Sequence, residues 1–396
     1  GCTLILNSKI SNITNKNPKK IIESDFNNHS ETYMKVLVIG GTRYMGKILV
    51  QTLLDEGNDV SVLSRGNEKP SWWNNINHIK ADRNNENELK EALQNYSFDW
   101  VFDFQAYRKE HVESFGNIMN GRVGKYLFVS TGSVYSKWDY GPSEEALLDF
   151  ELNIPFSEDQ FDWSDLSYEY DPNELEYGAR KRHCEKWIIE NFNIPYTIIR
   201  IPAIMGEDDP SGRIWWWIQR IKDGKGIIVP ENLNNPFRTL YSGDAAQAFY
   251  DSIKSEKTTN KIYHVASHEI FTPKSWIRIL NDLMGIDAQM YLVPNSITDK
   301  FLKGLKLESD DLEKKYSPPL LRNYPYVHNL SKSESDFGFT TTDIKSWLSK
   351  TIEYYMSLNQ IDNSSGYINR EKEIEVGLNW ENGIKNSIEN FNINYI

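Results

Sequence analysis

The sequence predicts a doubly wound α/β fold, a parallel sheet covered by helices on both faces, with a smaller C-terminal lobe. Three observations carry this prediction. Short runs of Val, Ile and Leu alternate with stretches of helical periodicity from Met34 to about residue 205. Strands buried on both faces read as continuous apolar runs, and parallel neighbours need a crossover helix between them. A glycine-rich turn, Gly40-Gly41-Thr42-Arg43-Tyr44-Met45-Gly46, joins the first strand-like run to the first helical one. Finally, 396 residues with 12 Trp, 22 Tyr and 17 Phe hold enough apolar mass for a sizeable core and argue against disorder.

Composition narrows the function classes. With 56 acidic and 44 basic side chains the formal net charge is −12, a poor counterion for phosphate backbones, so nucleic-acid binding is disfavoured. No stretch approaches the roughly 18 apolar residues of a membrane-spanning helix. Cys2 and Cys184 form neither a disulfide framework nor a four-ligand metal pattern, and none of the seven histidines has metal-ligand spacing. A cytoplasmic protein acting on a small molecule is the expectation, with organellar targeting by residues 1–33 left open.

Residues 1–33 are rich in Asn, Ser and Lys without sustained period and read as a flexible extension. Met34 is the first plausible initiator and opens the domain. Lys35–Ile39 (KVLVI) is predicted as a buried strand, Gly46–Glu56 as a helix, and Asp59–Leu63 (DVSVL) as the second strand. A short strand around His78–Lys80 follows, then a helix Glu86–Asn95 and strands Trp100–Phe104 and Tyr126–Ser130. Tyr177–Asn191 reads as a helix and Tyr196–Ile201 (YTIIRI) as the sixth strand. Residues 34–205 thus form a dinucleotide-binding domain with contributions from later segments. Residues 206–358, with short strands such as Lys261–Val265, form the smaller lobe that grips a substrate. Residues 359–396 are a polar tail with a short helix near Asn369–Trp380.

The glycine turn has a chemical rationale. Backbone must turn tightly there to approach a pyrophosphate whose charge rests on the helix N-terminus. Gly40, Thr42, Arg43, Tyr44, Met45 and Gly46 are the candidate contacts. A strand before and a helix after are the context that gives such a motif meaning. At the end of the second strand stand Ser64-Arg65-Gly66 and no acid. An acid there marks NAD, an arginine accommodates a 2′-phosphate, so Ser64, Arg65 and the nearby Arg43 favour NADP over NAD. Asp82 reads equally well as an adenine contact or an ordinary turn residue.

Tyr177 and Lys181 form the second motif. Positions i and i+4 share one helical face, so phenol and ammonium reach a common site. A free tyrosine titrates near pH 10; a neighbouring ammonium and an oxidised nicotinamide favour the phenolate and make Tyr177 a usable base. The fifth strand ends in Ser130-Thr131-Gly132-Ser133-Val134-Tyr135. A hydroxyl there can bond the reacting substrate oxygen; Thr131 is the choice, ahead of Ser130 and Ser133.

In order and spacing these motifs resemble the extended short-chain dehydrogenase/reductase superfamily, in its NAD(P)-dependent nucleotide-sugar epimerase/dehydratase branch, over roughly Met34 to Leu358. The resemblance implies a Rossmann-type domain, NADP or NAD, a nucleotide-sugar substrate and a homodimer formed through two helices. It makes Thr131, Tyr177 and Lys181 catalytic, with Lys181 also holding the cofactor ribose. Arg200-Ile201-Pro202 matches the nicotinamide-side segment, so Pro202 is a cofactor contact. Arg238, ahead of Tyr241-Ser242-Gly243-Asp244-Ala245-Ala246, resembles an arginine that meets the substrate diphosphate.

Three departures qualify the match. Arg43 stands where a second glycine is usual, as in a subgroup that includes epimerases and chloroplast RNA-binding proteins similar to reductases. Gly132-Ser133 replaces the Asp-Glu pair of 4,6-dehydratases, which disfavours dehydration. Ser136 replaces a glycine, a minor change. The expected activity is hydride transfer at a secondary alcohol or ketone, with epimerisation through a keto intermediate foremost. A small-carbonyl reductase and a non-catalytic RNA-associated relative are the alternatives. Of Trp215-Trp216-Trp217 at least one is expected in the core. The acidic stretch Glu144–Glu174 reads as a solvated loop, and His183 and Cys184 as packing residues.

Overall fold

Eleven strands and ten α-helices are found among the described residues of the computed structural model. It describes residues 33–135, 154–160, 171, 173, 175–230, 235–294, 296, 297, 300, 325–358, 367 and 370–389. In chain order the strands are β1 Lys35–Ile39, β2 Asp59–Ser64, β3 Asn77–Lys80, β4 Phe98–Asp103, β5 Val123–Thr131 and β6 Tyr196–Ile201. The later ones are β7 Ile204–Met205, β8 Ile227–Pro230, β9 Leu240–Tyr241, β10 Lys261–His264 and β11 Met290–Val293. Seven of them form one parallel sheet in the order β10-β6-β5-β4-β1-β2-β3. The strand order reverses between β1 and β4, and in open α/β sheets a ligand crevice lies outside the carboxyl ends of the strands at such a switch point.

The alternation of side chains along β1 divides the core. Val36 and Val38 join the layer holding helices Tyr44–Asp55 and Ser242–Lys254. Leu37 and Ile39 join the opposite layer, with Leu89, Val112, Phe115 and Ile188 from helices Glu86–Leu93, Lys109–Met119 and Tyr177–Asn191. A period of two on a sheet buried on both faces requires this.

Helix Tyr177–Asn191 and strand β6 have the predicted bounds. Other elements differ for physical reasons. The first helix begins at Tyr44, so Tyr44, Met45 and Gly46 belong to it rather than to the loop. Strand β5 starts at Val123, where it pairs with Phe98 of β4, and includes a buried Lys125 whose Nζ donates to Ser255 O at 2.7 Å and Thr258 Oγ1 at 2.8 Å. Strand β10 pairs with β6 in the main sheet, so the chain returns to the first sheet after residue 206.

A third core lies on the C-terminal side. All three of Trp215, Trp216 and Trp217 are buried in it, because helix Arg213–Lys222 is covered on every face. Of the acidic stretch, most lies outside the described residues, but Glu158 is buried and accepts from His264 N at 2.8 Å. The tail helix is longer than expected, Arg370–Glu389, and it packs against β8 and β11 through Ile374. Its polar residues enter the core as pairs: Arg220 donates to both Glu373 oxygens at 3.0 Å, and Arg370 Nε to Asp223 at 2.8 Å. No helix is long and apolar enough to cross a membrane among the described residues.

Candidate active site

Two cavities open at the carboxyl end of the sheet. One, of about 420 Å³, is lined by Gly40, Thr42, Arg43, Ser64, Arg65 and Asp82 among others. The second, of about 570 Å³, is lined by Tyr44, Met45, Thr131, Tyr177, Lys181, Pro202 and Arg238 among others. Tyr107 lines both. Of the predicted site residues only Gly46 lines neither; it has a packing role, since a Cβ there would lie 3.0 Å from Gly40 O and Gly41 Cα.

The glycine turn is built as a cradle. Gly40 sits at φ +82°, and a Cβ there would fall 2.2 Å from Gln105 Cγ, so only glycine holds the turn. Tyr44 starts the helix at φ 49°, a left-handed conformation that costs a non-glycine residue roughly 1–2 kcal/mol. Strain of that kind clusters at ligand sites. The buried Tyr44 hydroxyl has no hydrogen-bond partner among the described residues and belongs to the cavity wall. Glycine turn, helix N-terminus and orphaned hydroxyl together fit a dinucleotide. Ser64 Oγ is bonded to His78 Nε2 at 3.1 Å and to Gly66 N at 3.2 Å. Asp82 Oδ1 accepts both nitrogens of Asn84 at 2.9 Å, so it is a turn former as well as a cavity residue. Arg65 has no ion pair among the described residues, whereas Arg43 is paired with Glu68.

Tyr177, Lys181 and Thr131 converge in the larger cavity. Residue Tyr177 is 40% exposed, while its hydroxyl end is deep enough for burial to raise its pKa well above 10. The Tyr107 ring, 6.2 Å away between centroids, raises it further, and a hydrogen bond with Thr131 opposes. Lys181 is 1% exposed; Nζ donates to Val129 O at 2.7 Å and stands 4.3 Å over the Phe128 ring. Burial brings its pKa down to about 8. Ser130 is committed elsewhere, donating to the buried Glu185 carboxylate, which leaves Thr131 as the hydroxyl beside Tyr177. Thr131 Oγ1 also accepts from Ser133 N at 3.1 Å. Cys184 is buried, its thiol pushed up to about 12, and His183 is held near 4, so neither is a nucleophile or base at neutral pH.

Because a buried ammonium is costly, Lys181→Met is expected to raise stability by roughly 2 kcal/mol at pH 7. The sign follows from a folded pKa below the free lysine value. Wild-type stability rises as pH climbs from about 8 towards the ordinary lysine range, and the variant's advantage narrows there. Urea midpoints at pH 7 and 9.5 measure both; a variant less stable than wild type at pH 7 contradicts this account.

Sequence reasoning missed Tyr326, Arg213, Tyr107 and Glu68. Tyr326 comes from the far end of the chain, and its hydroxyl lies 1.9 Å from where a Cβ on Gly132 would be. The side-chain space at Gly132 is therefore filled by Tyr326. Gly132→Ala is expected to cost about 1–3 kcal/mol by overpacking, read as a fall in urea midpoint; an unchanged midpoint would mean Tyr326 moves freely. Arg213 lines the larger cavity and donates to Ser211 Oγ at 2.8 Å. Arg238 Nη1 donates to Ser267 O and His268 O, both at 2.6 Å, and Nε has no partner among the described residues. Tyr107 alone had a local signal, four residues past the end of β4 at the switch point.

Comparison with known proteins bears on the fold and the family. A chloroplast stem-loop binding protein of 41 kDa b from Arabidopsis thaliana is 25% identical over 253 residues, 60% of this chain and 60% of that protein. The chain thus covers less than two thirds of that curated relative's length. The UDP-glucose 4-epimerase of Thermotoga maritima, solved with UDP-glucose, superposes with a TM-score of 0.60 at 15% identity over 82% of this chain and 99% of that one. The UDP-glucuronic acid 4-epimerase of Bacillus cereus, solved with NAD, gives 0.57 at 16% identity over 83% and 100%. The UDP-N-acetylglucosamine 4-epimerase of Methanobrevibacter ruminantium gives 0.59 at 18% over 82% and 99%. These likenesses show the fold. The family model described as "NAD dependent epimerase/dehydratase family" matches residues 36–118 and 117–266, more than half of the sequence, and the chain belongs to that family.

Proposed function

We propose that the protein moves a hydride at a secondary alcohol of a nucleotide sugar and epimerises that carbon through a keto intermediate. The observation that carries this reading is the convergence of Thr131, Tyr177 and Lys181 in one cavity that shares Tyr107 with the glycine-turn cavity. A bound nicotinamide dinucleotide would supply the hydride acceptor and donor. The turn from Gly40 to Tyr44 and the N-terminus of the first helix would hold its pyrophosphate, and Ser64, Arg65 and Asp82 would flank its adenosine.

The chain's own groups do the proton work. Tyr177 takes the proton of the substrate hydroxyl at its Oη and returns it when the ketone is reduced. The Lys181 ammonium favours the phenolate that this requires. Thr131 orients the substrate oxygen. Arg213 and Arg238 on the wall of the same cavity give two guanidiniums for a diphosphate. Water elimination is disfavoured because Gly132-Ser133 takes the place of the Asp-Glu pair of 4,6-dehydratases, and Tyr326 fills the side-chain space of Gly132.

One experiment tests the reading. The purified protein is denatured, released nucleotide is identified by mass, and UDP-sugars are screened by NMR for inversion at a ring carbon. Retained dinucleotide with inversion supports an epimerase. Net reduction with exchange of the dinucleotide would point to a reductase. A second reading, RNA association, is favoured by the name of the Arabidopsis relative. Salt-sensitive stem-loop binding at physiological ionic strength, together with no dinucleotide binding, would establish it instead.

A further inference from the structure

Strand β2 ends at Ser64, the position where an acid marks NAD sites. Its hydroxyl is occupied by His78 and Gly66 N. The chain then turns at Gly66, which sits at φ +81°, and a Cβ there would lie 3.0 Å from the His78 ring. That turn returns Asn67 and Glu68 to the wall of the cavity lined by Gly40, Thr42 and Arg65. The Glu68 carboxylate meets the guanidinium of Arg43, which stands at the N-cap of helix Tyr44–Asp55 on the same wall. An acid is thus present in the cavity, delivered four residues late in sequence. It engages one of the three arginines on the wall of that cavity, Arg43, Arg65 and Arg83.

We propose that Glu68 is a cofactor-selecting residue that favours NAD over NADP. The proposal rests on the dinucleotide reading given above. A ribose 2′-hydroxyl can donate to the Glu68 carboxylate while Arg43 keeps its partner. A 2′-phosphate accepts hydrogen bonds only, so it must either displace Glu68 from Arg43 or lie against a like charge. Of the three arginines that line this cavity Arg83 is held by Asp103 and Arg43 by Glu68, which leaves Arg65, without an ion pair among the described residues, to meet such a phosphate without rearrangement. Both Arg43 and Glu68 have substantially exposed side chains, so the pair reorganises without unfolding the site. Selection therefore acts through charge at one atom of the ligand, and removing the carboxylate charge should reverse it.

Protein stripped of nucleotide is titrated with NAD and with NADP by calorimetry at 150 mM salt, as wild type, Glu68→Gln and the double variant Glu68→Gln/Arg43→Gln. The Glu68→Gln variant is expected to shift the ratio of NADP to NAD affinity at least tenfold towards NADP. The double variant should give back most of that gain. Far-UV circular dichroism checks that all three are folded. A ratio that moves less than threefold, with both dinucleotides still bound, overturns this inference and leaves the dinucleotide reading standing. Absence of binding of either dinucleotide to wild type overturns both.

Discussion

Replacing Tyr177 with Phe is expected to lower kcat about 1,000-fold on a UDP-sugar that the wild type epimerises, with dinucleotide affinity changed less than threefold. General acid–base groups contribute roughly 10²–10⁴ in rate. Phe keeps the ring beside Tyr107 and removes only the hydroxyl that bonds Thr131. The pH profile adds a second signature. Burial holds the Tyr177 phenol protonated against the opposing Thr131 hydrogen bond and Arg213 charge, so the proposed oxidising step draws on the Lys181 ammonium, one helical turn away, to bring the phenolate out. Lys181 loses that charge as pH passes about 8, and kcat should fall on the alkaline side from there. Kinetics by NMR and a parallel dinucleotide titration measure both; a Phe variant within tenfold of wild type would remove Tyr177 from the mechanism.

Arg200→Met is expected to destabilise the fold by about 3–5 kcal/mol. Arg200 and Glu185 are both fully buried, with Arg200 Nη2 2.7 Å from Glu185 Oε2 and Nε at 3.1 and 3.2 Å from the two carboxylate oxygens. Burial opposes the Arg200 charge, but Glu185 outweighs it and holds the arginine pKa up. Removing the cation strands a carboxylate in the core whose remaining donor is Ser130, and Tyr135 loses the bond it accepts from Arg200. The double variant Arg200→Met/Glu185→Leu should recover most of the loss, because an apolar pair of similar volume replaces two buried charges. Urea midpoints with unchanged slope test this. A loss under about 1 kcal/mol for the single variant would contradict it. Glu185 lies one turn past Lys181 on the same helix face, and Ser130 adjoins Thr131, so the pair also fixes the distance between the helix and the strand end.

What the sequence made legible was whatever has a local cause. The glycine turn, the Tyr177–Asn191 helix and strand β6 read directly, because backbone conformation, spacing and β-branching act over a few residues. Features set by distant partners did not. Nothing near Gly132 announces that Tyr326 will fill its side-chain space. Nothing near Ser64 says that Gly66 will return Glu68 to the cavity and pair it with Arg43. Buried polar residues misled in the same way. Lys125, Arg370 and Glu373 look like surface residues until the atoms that accept or neutralise them arrive from elsewhere in the chain.

The return of β10 to the main sheet has a consequence for biosynthesis. Strand β6 pairs with β5 on one side and β10 on the other, yet about 60 residues separate Ile201 from Lys261. At roughly 5–20 residues per second of translation, β6 spends about 3–12 s on the ribosome as a bare, apolar edge strand. Its segment Thr197-Ile198-Ile199 is the kind of edge that templates pairing with other nascent chains. Slowing translation between those two strands should therefore lower soluble yield, whereas slowing it after residue 264 should not.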